Sequence, residues 1–248
     1  PLAPLVLLDR LLDTPLPAGH AGADDRPLAL GIDARTRGFD ANAIVQRIKA
    51  LREALAHIHR ILDDEAFQLE LVHPAMKAML ESAPAYDRDP NGTGPFGFIE
   101  TNPIPVNGPI GQLAYLSKLE TQSGQRILFH RLGAIDTVDV FEAVSFNGAE
   151  WFILFLDLYH PRRSRLTPDG FRFTKDVAQF SGFHKFCEDF PYDFVEKKAS
   201  ERESGLSMAY IAISKVSDQI QNRVFNRPLA HKAKLDLVKS RLSSFQTQ

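Results

Sequence analysis

The sequence predicts an α+β fold in which an antiparallel β-meander, spanning about 126–159, is covered by N-terminal and C-terminal α-helices. Two observations carry this prediction. Asn147-Gly148 lies between two runs rich in β-branched and aromatic residues, Val138 to Phe146 and Ala149 to Tyr159. A type I′ hairpin turn needs φ > 0 at both central residues, and Asn-Gly tolerates it. The alternation within the two runs then leaves apolar side chains on both faces of the sheet, so each face needs a cover.

A two-residue turn pairs Phe146 with Ala149, which sets Val144 opposite Trp151, Glu142 opposite Ile153 and Val140 opposite Phe155. One face then carries Val138, Val140, Glu142, Val144, Phe146, Trp151, Ile153, Phe155 and Asp157, and Trp151 is expected to be largely buried there. The other face carries Phe141, Ala143, Phe152, Leu154, Leu156 and Leu158. Ile127 to Leu132 reads as a third strand, joined to the hairpin through Gly133 and Asp136.

The chain has 248 residues, 44% of them hydrophobic and 24% charged, with a formal net charge of −2. These values exclude wholesale disorder and offer no global attraction to nucleic acid or an anionic membrane. Cys187 is the only cysteine, so no intrachain disulfide can form. Pro1 to Leu12 is apolar but contains Asp9 and Arg10 and makes a poor signal peptide, and nothing later is long enough to span a bilayer. A cytoplasmic protein is expected.

The organisation expected is a single domain, 1–248, with five parts in order. An irregular arm over 1–38 opens with a short Leu-rich helix and continues through Pro15, Pro17, Gly19, Gly22 and Pro27. A helical part follows over 40–82, starting at a possible N-cap, Asp40, with an apolar stripe through Ile44, Ile48, Leu51, Leu55, Ile58 and Leu62. Shorter helices are expected at Glu65 to Leu71 and Pro74 to Glu81. A Pro/Gly-rich, non-helical connection occupies 83–110. Within it Gly92-Thr93-Gly94-Pro95-Phe96-Gly97 matches G-x-G-x-x-G, but it neither follows a strand nor opens a helix, so it reads as a turn cluster rather than a dinucleotide fingerprint. Asn102 to Pro109, stiffened by three prolines, reads as a brace across the sheet. A short helix through Leu113, Leu116 and Leu119 leads into the central sheet of 112–173. In the C-terminal part, 174–246, helices are expected over Phe180 to Phe190, Leu206 to Phe225 and Leu229 to Leu242.

No motif fixes an activity, and the candidate site residues follow from local chemistry. His160, Arg162, Arg163 and Arg165 cluster immediately after a strand, where guanidinium groups could grip a phosphate or carboxylate bidentately. Glu142 is a carboxylate on an apolar face and needs a partner or a perturbed pKa. Near a histidine it could act as a general acid or base, so Glu142 and His160 are the catalytic candidates, set against a structural ion pair for Glu142. Arg131, in the register expected of the third strand, shares the Glu142 face and could pair with Asp157. His184 and Cys187 are three apart without a second zinc pair, so no metal is expected. Gly205 to Ala209 is a near miss for G-x-S-x-G, and Ser204 or Ser207 reads as a helix N-cap.

The function expected is a binding or interaction protein that recognises an anionic small molecule or protein partner through the Arg-rich loop, without a cofactor. The alternatives are a hydrolase or transferase acting on a phosphate-bearing substrate, and non-specific nucleic-acid binding by a basic C-terminal helical surface, which is not favoured.

Overall fold

The structure is a computed structural model that describes residues 49, 52, 53, 56–176, 180–193, 219, 220 and 222–242. All of these belong to the unit Gln46–Gln248. The expected arm over 1–38, the cap at Asp40, the stripe from Ile44 to Leu55, the Ser204 to Ala209 stretch and most of the helix expected over Leu206 to Phe225 lie outside the described residues.

The chain is helical over 56–63. It continues through α1 (Glu65–Glu70), α2 (Pro74–Ser82), β1 (Ile104–Pro105), α3 (Gly108–Ser117), β2 (Leu119–Thr121), β3 (Ile127–Ile135), β4 (Val138–Ser145), β5 (Trp151–Asp157), β6 (Phe171–Phe173), β7 (Gly182–Phe183) and α4 (Leu229–Arg241). Asp64 caps α1 by accepting the Phe67 N–H at 3.0 Å. Pro74 opens α2, where its missing N–H costs nothing.

The main sheet is mixed rather than purely antiparallel, with the order β1-β5-β4-β3-β7. β3, β4 and β5 pair antiparallel, while the two-residue edges β1 and β7 are parallel to β5 and β3. β2 and β6 form a separate antiparallel ribbon. Between β4 and β5 the register is the expected one, with Val144 opposite Trp151, Glu142 opposite Ile153 and Val140 opposite Phe155.

The turn is not the expected type I′. Gly148 has φ 78°, but Asn147 is not among the residues with positive φ. The pairing closes at Ser145 and Glu150 instead of Phe146 and Ala149, and the Gly148 N–H donates to the Ser145 carbonyl at 2.7 Å. Asn147 Oδ1 accepts from Ser145 Oγ and the Ala149 N–H, so its side chain does the work expected of its backbone.

The third strand also differs. β3 runs through Gly133 to Ile135, and its ladder with β4 shifts between Arg131 and Gly133, leaving Leu132 as an extra residue. His130, not Arg131, therefore stands opposite Glu142, and Arg131 stands opposite Phe141 on the other face.

Each sheet face carries its own apolar cluster. On the Phe141 side, Ile127, Phe129, Ala143, Leu154 and Leu156 pack with Tyr115 and Leu116 of α3. Ala114 of α3 packs with Ile58 and Leu62, so the 56–63 helix joins a cluster on α3 separate from the one that covers the sheet. On the Glu142 side, Val140, Ile153 and Phe155 pack with Leu235 and Val238 of α4, while Leu128 and Val144 pack with Cys187, Phe190, Ile220 and Phe225. Trp151 is half-buried rather than buried, and the Arg227 guanidinium lies 4.9 Å from its ring centroid.

The helix expected from Phe180 to Phe190 is absent from the described part of that stretch. Gly182 and Phe183 form β7 beside Phe129 and His130, and the residues up to Phe190 are turns and irregular strap. Backbone pairing with β3 competes successfully with helical spacing there. The 83–110 connection is shorter than expected, since Gly108-Pro109 already opens α3. Asn102 to Pro109 runs along the sheet edge, where β1 pairs with Leu156 and Asp157. The Gly92 to Gly97 stretch is a turn cluster with φ 88° at Gly94 and 76° at Gly97.

Candidate functional site

The Arg-rich loop is shaped by what it touches on leaving β5. Asp157 Oδ1 accepts the Tyr159 N–H at 3.0 Å, which turns the chain. His160 is buried, with Nε2 3.0 Å from Asp157 Oδ2 and Nδ1 3.0 Å from the Pro84 carbonyl, and Tyr86 lies against its ring at 4.7 Å. Burial alone would lower the His160 pKa, but the Asp157 carboxylate and the Pro84 carbonyl together raise it above its ordinary value. Both nitrogens face acceptors, the arrangement of an imidazolium.

Asp87 organises the next residues. Its Oδ1 accepts from Arg162 NH1 at 2.5 Å and from the Arg165 backbone N–H at 2.8 Å, and its carbonyl accepts from Ser164 Oγ at 2.6 Å. The Arg162 bond and the Arg165 N–H hold the Asp87 carboxyl below its usual range. Arg163 is only 7% exposed. Its Nε donates to Glu65 at 3.1 Å and its NH1 to the Leu62 carbonyl at 2.9 Å. Arg165 is exposed, and among the described residues no side chain pairs with its guanidinium.

Beside this loop lies a pocket of about 500 Å³ whose lining includes Arg163, Ser164, Arg165, Lys118, Tyr115 and Phe173. His59, Asp63, Glu65, Thr174 and Asp176 complete it. Lys118 pairs with Asp63 at 2.6 Å, as Arg163 does with Glu65. Two of the pocket's three strong cations are thus paired within its lining, whereas Arg165 acts on the Asp87 carboxylate by charge without a side-chain hydrogen bond among the described residues.

The structure separates the other expected residues from this pocket. Arg162 and His160 support the loop but do not line the pocket. Glu142 is 1% exposed, accepts from His130 Nε2 at 3.1 Å and His231 Nε2 at 3.0 Å, and forms an ion pair with Arg227, whose Nε lies 2.9 Å away. Burial opposes its ionisation, but the two histidine hydrogen bonds and the Arg227 charge prevail and hold its pKa down at about 2. Glu142 and His160 share no hydrogen-bond partner, so the two catalytic candidates do not converge. Arg131 pairs with Asp139 at 2.6 Å rather than with Asp157, because the Leu132 bulge turns it to the other face. Asp139 also accepts from Gln112 at 2.9 Å, and His184 lies 3.4 Å from it. Burial pushes the Asp139 carboxyl up, yet bonds from His184, Arg131 and Gln112 bring it below its ordinary value.

His184 faces Gln112 and Asp139, while Cys187 is buried in the cluster on the opposite face, so the pair is not a joint ligand set. Among the described residues no group of three or more His, Cys, Asp or Glu could hold a metal ion. Three of the four lysine and arginine cations of α4 are drawn onto the protein: Lys234 lies 5.7 Å from the Phe98 ring, Lys239 lies 5.5 Å from the Phe186 ring, and Arg241 pairs with Glu100, while Lys232 is exposed. No helix among the described residues is long and apolar enough to cross a membrane.

Sequence reasoning missed Asp87, Lys118 and Glu65, which fix the loop and balance the pocket. Asp87 and Glu65 lie 75 and 98 positions from their arginine partners, and no local spacing signals such contacts.

No protein-family model and no solved structure matches the chain. A 50-residue stretch is 54% identical to a nucleotide-binding protein of Sphingopyxis alaskensis, covering 20% of this chain and 15% of that protein. Similar stretches are 52% identical to a nucleotide-binding protein of Zymomonas mobilis and 50% identical to one of Rhizorhabdus wittichii, with 15% and 16% of those proteins covered. The chain thus spans about 15% of the length of the curated relatives it matches.

Proposed function

We propose that the protein binds a phosphate-bearing small molecule in the pocket beside Arg165. The observation that carries this reading is the exposed Arg165 guanidinium, without a side-chain hydrogen bond among the described residues, at the wall of a pocket of about 500 Å³, a size within the usual range for small-molecule sites. A guanidinium held on a loop that Asp87 fixes from two sides can meet an oxyanion with little loss of rotamer freedom. The relatives named nucleotide-binding proteins favour a nucleotide among phosphate-bearing ligands.

Charge narrows the class. Lys118, Arg163 and Arg165 share the lining with Asp63, Glu65 and Asp176, so the pocket has no net positive charge and suits a phosphomonoester better than a triphosphate. A nucleoside monophosphate is the ligand of choice. Cys187, the sequence's only cysteine, is buried and forms no disulfide, which fits a cytoplasmic setting.

The test is calorimetric titration of the full chain with AMP, GMP, ATP and inorganic phosphate, repeated on Arg165→Ala. Losing one or more charge-assisted hydrogen bonds should weaken monophosphate binding by roughly 10- to 100-fold while leaving the melting temperature unchanged. Absence of binding to all four, or equal binding by the variant, would overturn the proposal.

A further inference from the structure

The side of α4 turned away from the sheet carries an apolar stripe bordered by one charge of each sign. We infer that two copies of the chain associate through this face, with α4 packed antiparallel against α4 about a two-fold axis.

His231, Leu235 and Val238 are the buried residues of α4, and they hold it to the sheet. Leu229, Ala233 and Leu237 recur every four residues on the opposite side, a stripe of about 12 Å at the rise of a helix. Leu229 is 85% exposed and Leu237 64%, and Ala233 between them is exposed as well. A single leucine on a surface is ordinary. Two leucines in one line, with only an alanine between them, give α4 a second apolar face, and a helix that is already docked on one side needs a second partner to bury it.

The charges beside the stripe select the partner. Lys234, Lys239 and Arg241 are engaged with Phe98, Phe186 and Glu100 of the same chain. Lys232 and Asp236 remain, four residues apart on one flank of the stripe. Both are exposed, and neither side chain makes an ion pair or hydrogen bond among the described residues. A flank with a cation towards one end and an anion towards the other is complementary to itself turned end for end. A uniformly acidic or basic partner would meet one like charge for every opposite one.

With Ala233 at the crossing point, Leu229 meets the partner's Leu237 and Leu237 meets the partner's Leu229. On the flank, Lys232 comes beside the partner's Asp236, and the two-fold axis makes this pair twice. The small side chain at the crossing lets the backbones approach to the short end of the usual range, about 8 Å between axes. One pair of 13-residue helices covers less than a standard interface, so the dimer is a weak, reversible one, with a dissociation constant on the order of tens of micromolar.

Sedimentation velocity of the full chain, from about 1 to about 500 µM, tests the pairing. The wild type should pass from one chain to two as concentration rises. Leu237→Gln should raise the dissociation constant by about tenfold or more, because both copies lose a buried leucine. Lys232→Glu and Asp236→Lys should each weaken association by about tenfold, since the axis repeats the like-charge contact. The double variant Lys232→Glu, Asp236→Lys restores opposite charges and should return to within about threefold of the wild type. All four variants change exposed side chains and should keep the fold. A wild type that sediments as one chain at every concentration overturns the dimer, as does a double variant no tighter than either single one. Association undiminished by Leu237→Gln would place the contact on another face and overturn it equally. A melting temperature several degrees lower for dilute, monomeric Leu237→Gln would mean that the chain covers its own stripe, which also overturns it.

Discussion

The Oε1 oxygen of Glu142 lies 3.0 Å from Nε2 of His231, 89 residues downstream, and this contact fastens the first turn of α4 to the middle strand of the sheet. The same carboxylate takes a bond from His130 and pairs with the Arg227 charge, so its removal strands two donors and a cation at once. Glu142→Ala should therefore cost about 3 to 5 kcal/mol, the range for breaking a buried ion pair from one side. Chemical denaturation at neutral pH measures it. A loss under about 1 kcal/mol would mean that desolvation had already consumed the value of the pair.

Two titrations should act on stability with opposite signs. Glu142 has a folded pKa of about 2 against an ordinary 4.5, so its contribution is present above 4.5 and is lost as pH falls from there towards 2. His160 is raised above its ordinary 6.5, so its contribution is complete below 6.5 and is lost as pH rises through the folded value. The melting temperature of the wild type should accordingly fall relative to His160→Gln as pH climbs past 6.5. A constant difference across that range would show that the imidazolium contributes nothing.

The expected sites divide according to how far their partners lie in sequence. Period-two alternation from Val138 to Asp157 was enough to place Glu142 opposite Ile153, because a slip of one residue would have turned every apolar side chain outward. The turn type was not legible, since Asn147 satisfies its neighbours through its side chain instead of through positive φ. Arg131 illustrates a different failure. Ile135 pairs with Val138 across a two-residue turn, and without a bulge the same register would carry Arg131 opposite Glu142. One extra residue at Leu132 exchanges Arg131 for His130, and nothing in the local pattern announces it. The arginines were legible as a cluster, but their division into one free and two engaged depended on Asp87 and Glu65, which belong to other segments.

Gly182 is fixed by space rather than by φ. An added Cβ would meet both the ring and the backbone carbonyl of Phe129 well inside contact distance. Gly182→Ala should force β7 away from β3 and cost about 1 to 3 kcal/mol, as overpacking does. Amide exchange would show this as weakened protection of Phe129, whose N–H now donates to the Ser181 carbonyl at 3.2 Å. Unchanged protection would mean that the β7 backbone can shift enough to admit the methyl group without giving up its pairing with β3.

Arg163 and Arg165 both line the pocket, yet they should behave as different kinds of residue. Arg163 is 7% exposed and sends two different nitrogens to two different acceptors, Nε to Glu65 and NH1 to the Leu62 carbonyl. That geometry uses the planar fork, which an ammonium cannot reproduce. Arg163→Ala leaves Glu65 and a helix carbonyl without their donor and should cost about 3 kcal/mol. Arg163→Lys, keeping the charge but not the fork, should recover less than half of that. Arg165→Ala should leave stability within about 0.5 kcal/mol of wild type, as exposed substitutions do. Denaturant titration of the three variants at one pH separates the roles. If Arg163→Lys is as stable as wild type, the fork is not what holds the loop to the 56–63 helix, and simple charge pairing with Glu65 accounts for the contact.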